Sequence, residues 1–275
     1  MRGDEVATLV DWAAAEGWNP GLHDADVARA YDPEAFIALR SGPELVGGGA
    51  ILSYDGAYGF MGMFIVRADR RHEGLGRELW HYRRDHLVAR LRAGATIGMD
   101  GVPDLVPFYE RGGFTVAHRD VRFQGRATGA PDPAVEPLAV LAGSELAAYD
   151  DRHVAAPRAA FLADWISRPG TVSGVIREDG LPVAVGVLRP CRVGWKFGPV
   201  TADRPDLAER LVGSLLAAVE GERVQLDVPE ANRAGVELAQ RCGLREVFGC
   251  ARMYLRTPPD LPLGRIYGVT SFEFG

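Results

Sequence analysis

Met63-Phe-Ile-Val-Arg-Ala-Asp-Arg-Arg-His-Glu-Gly-Leu-Gly-Arg-Glu-Leu-Trp80 is the stretch that decides the fold. An apolar strand runs into Arg71-x-x-Gly74-x-Gly76, and a helix follows at once. Two glycines at a strand-to-helix turn let the backbone approach a ligand closely. The first helical turn then offers unpaired N–H groups and the positive end of a dipole. Together these make a site for a phosphate group. The spacing is neither that of a Walker loop nor that of a dinucleotide fold.

Outward from this stretch, the helix is expected from about Gly74 to Arg92. A short buried strand (Thr96 to Met99), a short helix (Leu105 to Arg111) and a closing strand (Phe114 to Gly125) follow. Upstream, Asp4 to Glu16 reads as an amphipathic helix with Val6, Leu9, Val10 and Ala13 on one face. Gly and Pro break it between Glu16 and Asp24. A helix from Ala25 to Tyr31 and strands at Phe36–Arg40, Leu45–Tyr54 and Tyr58–Val66 complete the first half. Arg126-Ala-Thr-Gly-Ala-Pro-Asp-Pro133 has linker composition.

The second half repeats the plan. Helices are expected near Ser144–Asp151, Arg158–Ser167, Asp206–Glu220 and Asn232–Arg241. Strands are expected near Thr171–Arg177, Val183–Arg189, Gly194–Val200, Arg223–Val228, Glu246–Leu255 and Arg265–Phe272. Val66-Arg-Ala-Asp-Arg70 aligns with Val200-Thr-Ala-Asp-Arg204, and Phe108-Tyr-Glu-Arg-Gly-Gly-Phe114 with Leu238-Ala-Gln-Arg-Cys-Gly-Leu244. In the second copy Arg71, Gly74, Gly76 and Tyr109 become Pro205, Ala208, Arg210 and Ala239. Side chains at 208 and 210 crowd the place a pyrophosphate would take.

The 275 residues suffice for two ordinary domains with sizeable cores. Hydrophobic content of 47% and charged content of 25% are those of a soluble globular chain. No apolar run approaches the length of a membrane span, and no secretion signal is visible at the N-terminus. A net charge of −6 argues against a nucleic-acid binder. The three cysteines lack C-x-x-C spacing, so reduced thiols in a cytoplasm, without a metal site, are expected. Of the 31 basic side chains only Lys196 is lysine. Arginine-rich codon usage explains this, or Lys196 is needed for its shape or its amine.

The order strand, R-x-x-G-x-G, long helix, short strand and Tyr109-Glu-Arg-Gly-Gly-Phe114 resembles the GNAT acyltransferase superfamily. Glu16-Gly-Trp-Asn-Pro-Gly21, Leu226-Asp-Val-Pro-Glu-Ala-Asn232 and Ala251-Arg-Met-Tyr254 are similar to a bacterial subgroup with two GNAT domains in one chain. The resemblance implies an α+β fold of two tandem GNAT-like domains, each a mixed, mainly antiparallel sheet flanked by helices. Residues 1–127 are then the catalytic, acyl-CoA-binding domain, and residues 134–275 a GNAT-like domain without the pyrophosphate loop. The implied activity is direct transfer of an acetyl group from acetyl-CoA to a small-molecule amine, by a cytoplasmic monomer or homodimer. Alternatives are a non-catalytic acyl-CoA sensor and a protein-lysine acetyltransferase.

By the same resemblance, Phe64, Ile65 and Val66 pair with the pantetheine arm, and a backbone N–H near Phe64 or Ile65 polarises the thioester. Amides from His72 through Glu73, Gly74, Leu75, Gly76 and Arg77 hold the pyrophosphate, and Arg71 and Arg77 add charge-assisted bonds. Tyr109 matches the tyrosine that protonates the leaving thiolate. The strand Tyr58–Phe64 lacks the Glu that many members use as a base. Asp100 is the substitute expected, although a turn bond in Asp100-Gly-Val-Pro103 accounts for it equally. Glu16, Trp18, Asn19 and Asp24 are candidates for an acidic and aromatic lip around the amine, with Lys196 a further candidate for substrate contact. Arg189, Cys191, Arg192, Asp227 and Asn232 are polar groups near strand ends of the second half, and Asn232 also fits a helix cap.

Overall fold

A computed structural model describes residues 1–275. The first helix, α1 (Gly3–Ala15), turns Val6, Leu9, Val10 and Ala13 inward, the face its apolar spacing specified. After the Gly/Pro break comes α2 (Asp24–Tyr31), then the antiparallel strands β1 (Phe36–Ser41), β2 (Glu44–Tyr54) and β3 (Tyr58–Val66). The glycine loop leads into α3 (Leu75–Arg90), followed by β4 (Thr96–Gly101), α4 (Val106–Arg111) and β5 (Phe114–Arg126). The second half runs α5 (Gly143–Asp150), α6 (Ala159–Ser167), β6 (Val172–Glu178), β7 (Leu181–Pro190), β8 (Trp195–Ala202), α7 (Pro205–Ala217), β9 (Arg223–Pro229), α8 (Arg233–Arg241), β10 (Arg245–Leu255) and β11 (Ile266–Gly268). Asn232 caps α8, its side chain accepting from the Gly235 amide at 3.1 Å.

The two expected sheets are joined into one. Its strand order is β1-β2-β3-β4-β10-β5-β9-β8-β7-β6, with β11 against β8. Each half has therefore exchanged its closing strand. β10 pairs with β4 of the first half, and β5 pairs with β9 of the second. β5 and β10 meet each other in a long antiparallel ladder, from Phe114 opposite Leu255 to Gln124 opposite Arg245. The largest apolar cluster also spans the halves: Leu9, Val27 and Phe60 pack with Phe161, Trp165 and Val187. A second cluster lies under α7 and a third under α3, around Trp80 and Leu87.

In each half two parallel strands pair briefly and then part. β3 and β4 pair only from Tyr58–Met61 to Thr96–Met99. Beyond Met61 the β2–β3 register slips, and Met63 takes a φ of +47°. Such a bulge bends the strand and re-aims its groups, and a V-shaped cleft opens. β8 and β9 part in the same way after Trp195 and Lys196. There β11 fills the gap: Ile266 pairs with Thr201, and the Val269 amide donates to the Asp227 carbonyl at 2.9 Å. The strand expected over Arg265–Phe272 is therefore shorter. After Gly268 the chain crosses to β9 and turns, with the Ser271 hydroxyl accepting from the Glu273 and Phe274 amides at 3.2 and 3.0 Å.

Candidate active site

The open cleft of the first half encloses about 640 Å³ including its mouth. β3 and β4 form its sides, α3 contributes Trp80 and Arg83, and α4 contributes Tyr109. The strand exchange brings Phe248 and Cys250 of β10 into it, and the C-terminal segment brings Phe272 and Glu273.

The glycine loop follows β3, with Gly76 packed beside Val66 and the cleft-lining Phe64. His72 and Gly74 adopt φ of +69° and +84°, and Gly74 is the N-cap of α3. A left-handed residue is cheapest as glycine. The alternation turns several N–H groups to one side, a shape that favours anions. Within the backbone ladder the amides of residues 72–76 find no acceptor, whereas Arg77 and Glu78 both donate to the Gly74 carbonyl at 3.1 and 3.3 Å. The Arg77 amide is thus already occupied. The Arg71 Nε holds the Val66 carbonyl at 3.0 Å, and its Nη2 pairs with Glu16. In the second copy α7 begins at Pro205, the counterpart of Arg71, so the first helical turn absorbs the loop. Ala208 is fully buried there, and Arg210 pairs with Asp132 at 2.7 Å.

Tyr109 is buried between Trp80 and the cleft. Burial raises its phenol well above the ordinary tyrosine range, against the opposing charge of Arg83, so it stays protonated at neutral pH. Arg83 is itself buried without a carboxylate partner. It donates to the carbonyls of Ala50 and Gly62, and burial lowers its pKa to about 10.

Asp100 lines the cleft, but its two oxygens are held by Arg252 at 2.7 and 2.8 Å, from the neighbouring exchanged strand. Asp120 reaches the same guanidinium at 3.2 Å. Two buried carboxylates sharing one cation cannot both ionise cheaply. Burial, with Asp120 adding to it and Arg252 opposing, pushes the Asp100 carboxyl up to about 8.

The expected lip divides. Trp18 does line the cleft. Glu16 does not line it and pairs with Arg71. Asn19 and Asp24 have another task and do not line it. The Asn19 side chain donates to the Val193 carbonyl and Gln225 Oε1, both at 3.0 Å, and accepts from the Val193 amide at 2.9 Å. Asp24 takes two bonds from Arg189, at 2.8 and 3.0 Å, and one from the Gly21 amide. Both are ties between the halves, because the Gly/Pro segment crosses onto β7 and β8. Lys196 is likewise no part of the cleft wall: fully buried, it donates to the Trp18 carbonyl at 3.3 Å. The same carbonyl accepts from Arg122, which is clamped on Asp227 by two bonds of 2.7 Å. The three cysteines are free, Cys191 and Cys250 buried.

Sequence reading missed Arg83, Arg122, Arg252 and Glu273. The last is 4% exposed, lines the cleft, and its Oε2 has no partner. Nothing in the local sequence marks it, since 210 residues separate it from Met63, which lines the same cleft.

A fold of two helix-flanked halves with parting parallel strands, one beside a glycine loop, defines an acyl-CoA-dependent transferase class. Two family models, both described as Acetyltransferase (GNAT) domain, match residues 11–127 and 146–268. The chain belongs to this family, as a tandem GNAT acyltransferase. It is 28% identical over 277 aligned positions to a holothin acyltransferase of Pseudoalteromonas sp. (strain SANK 73390), covering 99% of this chain and 92% of that one. A putative acetyltransferase from Pyrococcus horikoshii has the same fold, with a TM-score of 0.83 at 18% identity over 99% of this chain and 93% of that one. A tandem GNAT protein from the clavulanic acid biosynthesis pathway shares it with a TM-score of 0.62 at 16% identity, over 94% and 97% of the two chains. No helix is long and apolar enough to cross a membrane.

Proposed function

We propose that the chain moves an acetyl group from acetyl-CoA to the amine of a small molecule, by direct transfer in the cleft of residues 1–127. One observation carries the reading. Of two equivalent clefts, the one beside the glycine loop is open and lined by Tyr109, and the other is filled by the segment after Ile266.

The residues present fit the coenzyme. Free amides at 72–76 and the positive end of α3 would hold the pyrophosphate. Arg71 would exchange Glu16 for phosphate, and Arg77 would add a second cation. Phe64 to Val66 would run along the pantetheine arm, with the backbone N–H of Phe64 or Ile65 on the thioester oxygen. Tyr109, kept neutral by burial, would give its proton to the departing sulfur.

A compact acceptor is supported by walls drawn from both halves. The relative named for holothin also favours a small molecule over a polypeptide. The test is incubation with acetyl-CoA and a panel of small amines, holothin included, while free thiol is followed. Release above background with at least one amine is expected. Acetyl-CoA binding without release to any amine would favour a sensor; release with lysine peptides alone would favour a protein acetyltransferase.

A further inference from the structure

We propose that Glu273, carried on the C-terminal segment of the second half, is the general base of the first half's cleft. This rests on the acyl-transfer reading above. A free aliphatic amine is an ammonium at neutral pH, with a pKa of about 10. Its nitrogen attacks a thioester only as a proton leaves, so a base must reach it. β3 carries no carboxylate between Tyr58 and Val66. Only two carboxylates line the cleft, Asp100 and Glu273.

Their surroundings differ. Asp100 has both oxygens engaged by Arg252. Glu273 is as deeply buried, yet its Oε2 meets no donor. A buried, unpartnered carboxylate oxygen is costly to keep, and here it borders the space where the acceptor must lie. The nearby cations are already committed. Arg122 is spent on Asp227 and the Trp18 carbonyl, and Arg189 on Asp24 and two backbone carbonyls. Both guanidiniums feel the charge of Glu273 without bonding it.

The segment is also fixed in place. Ser271 closes its turn through two amides, and the Tyr54 hydroxyl donates to the Phe274 carbonyl at 2.7 Å. It crosses β3 at Gly62, where a Cβ would stand 2.1 Å from the Glu273 carbonyl oxygen. Glycine at 62 permits that approach, which sets Glu273 beside the Met63 bulge.

The step balances. The ammonium first loses one proton, through the Glu273 carboxylate to solvent; the freed lone pair of the nitrogen then forms the C–N bond to the acyl carbon, and a second proton passes from nitrogen to Glu273. The C–S bond breaks, and the sulfur leaves with its electron pair and takes the proton of Tyr109. Glu273 returns its proton through solvent to the tyrosinate. A half whose own cleft is filled thus supplies the base for the other.

The experiment compares full-length wild type with Glu273→Gln, Glu273→Ala and Asp100→Asn, using acetyl-CoA and the best amine of the panel. Glu273→Gln should lose at least ~10²-fold in kcat, keep the acetyl-CoA Kd within twofold, and lose the acidic limb of the kcat/KM pH profile. Added formate should restore part of the Glu273→Ala rate, a readout that a purely structural role would not move. Glu273→Gln turning over within twofold of wild type, an unchanged acidic limb, or formate without effect would overturn the assignment. So would loss of the limb in Asp100→Asn alone. If wild type itself releases no thiol, the acyl-transfer reading falls and the base with it. If wild type turns over and Glu273→Gln does so equally, only the base falls.

Discussion

Gly62→Ala tests how the two halves are coupled. The added methyl would stand 2.1 Å from the Glu273 carbonyl oxygen and 2.8 Å from its carbonyl carbon and Cα. All three are backbone atoms, so no side chain can swing aside. The C-terminal segment must retreat by about 1 Å to reach a tolerable contact. Overpacking of this kind costs about 1–3 kcal/mol in stability. A misplacement of about 1 Å at a reacting group costs about 10²-fold in rate, equivalent to about 2.7 kcal/mol of barrier. Thiol release at saturating acetyl-CoA gives kcat, calorimetric titration gives the acetyl-CoA Kd, and urea denaturation gives stability. The expected result is kcat down about 10²-fold with Kd nearly unchanged. Gly143→Ala is the control, because nothing lies within 4 Å of its added methyl. Wild-type kcat in Gly62→Ala would refute the reasoning. So would weakened acetyl-CoA binding with kcat intact, since the damage would then lie in β3 rather than in the segment.

Three further outcomes are expected. Tyr109→Phe should lower kcat by about 10²-fold at unchanged acetyl-CoA Kd; an unchanged rate removes it from the mechanism. Gly74→Glu should abolish acetyl-CoA binding in titration, because it places an anion among the amides of 72–76 and a side chain at a φ of +84°; tight binding would mean that the loop is not the coenzyme site. Asp227→Asn should cost about 3–5 kcal/mol in urea denaturation, because Arg122 is left buried with an uncompensated charge. For Asp227 burial works upward, but the charge and hydrogen bonds of Arg122 overcome it and hold the carboxyl below its ordinary value. A depressed carboxylate stabilises the fold above its unfolded pKa, near 4, and the contribution is lost as pH falls further. The acid limb of stability should therefore flatten in Asp227→Asn.

Local pattern made much of this protein legible. The 3.6-residue period of α1, the alternation of β-runs and turns, and the glycine spacing at 74 and 76 are short-range signals, set by backbone sterics and by which face meets the core. The repeat of Val-x-Ala-Asp-Arg announced two copies, and the joint replacement of Arg71, Gly74, Gly76 and Tyr109 marked the second as different from the first. Asn232 as a cap was readable for the same reason: its partner is three residues away.

The site residues divided differently. Loop and tyrosine sit on elements that carry their own signature, so sequence alone singled them out as candidates, and it determined the fold and the class of chemistry. Asn19 and Asp24 looked like substrate groups because polar residues beside Gly and Pro suggest a lip, and Lys196 because it is the single lysine; only the crossing of the Gly/Pro segment onto β7 and β8 makes them ties between the halves. Which strand neighbours which was decided by tertiary structure, because the exchange of β5 and β10 leaves each strand's own pattern intact. The alternation of a closing strand reads the same whichever neighbour it pairs with. That exchange, and the path of residues 266–275 across Gly62, bring Arg252 to Asp100 and Glu273 into the cleft that Tyr109 lines. Contacts between residues so far apart in the chain are fixed by packing and close approach of backbones, and they leave no trace in local sequence.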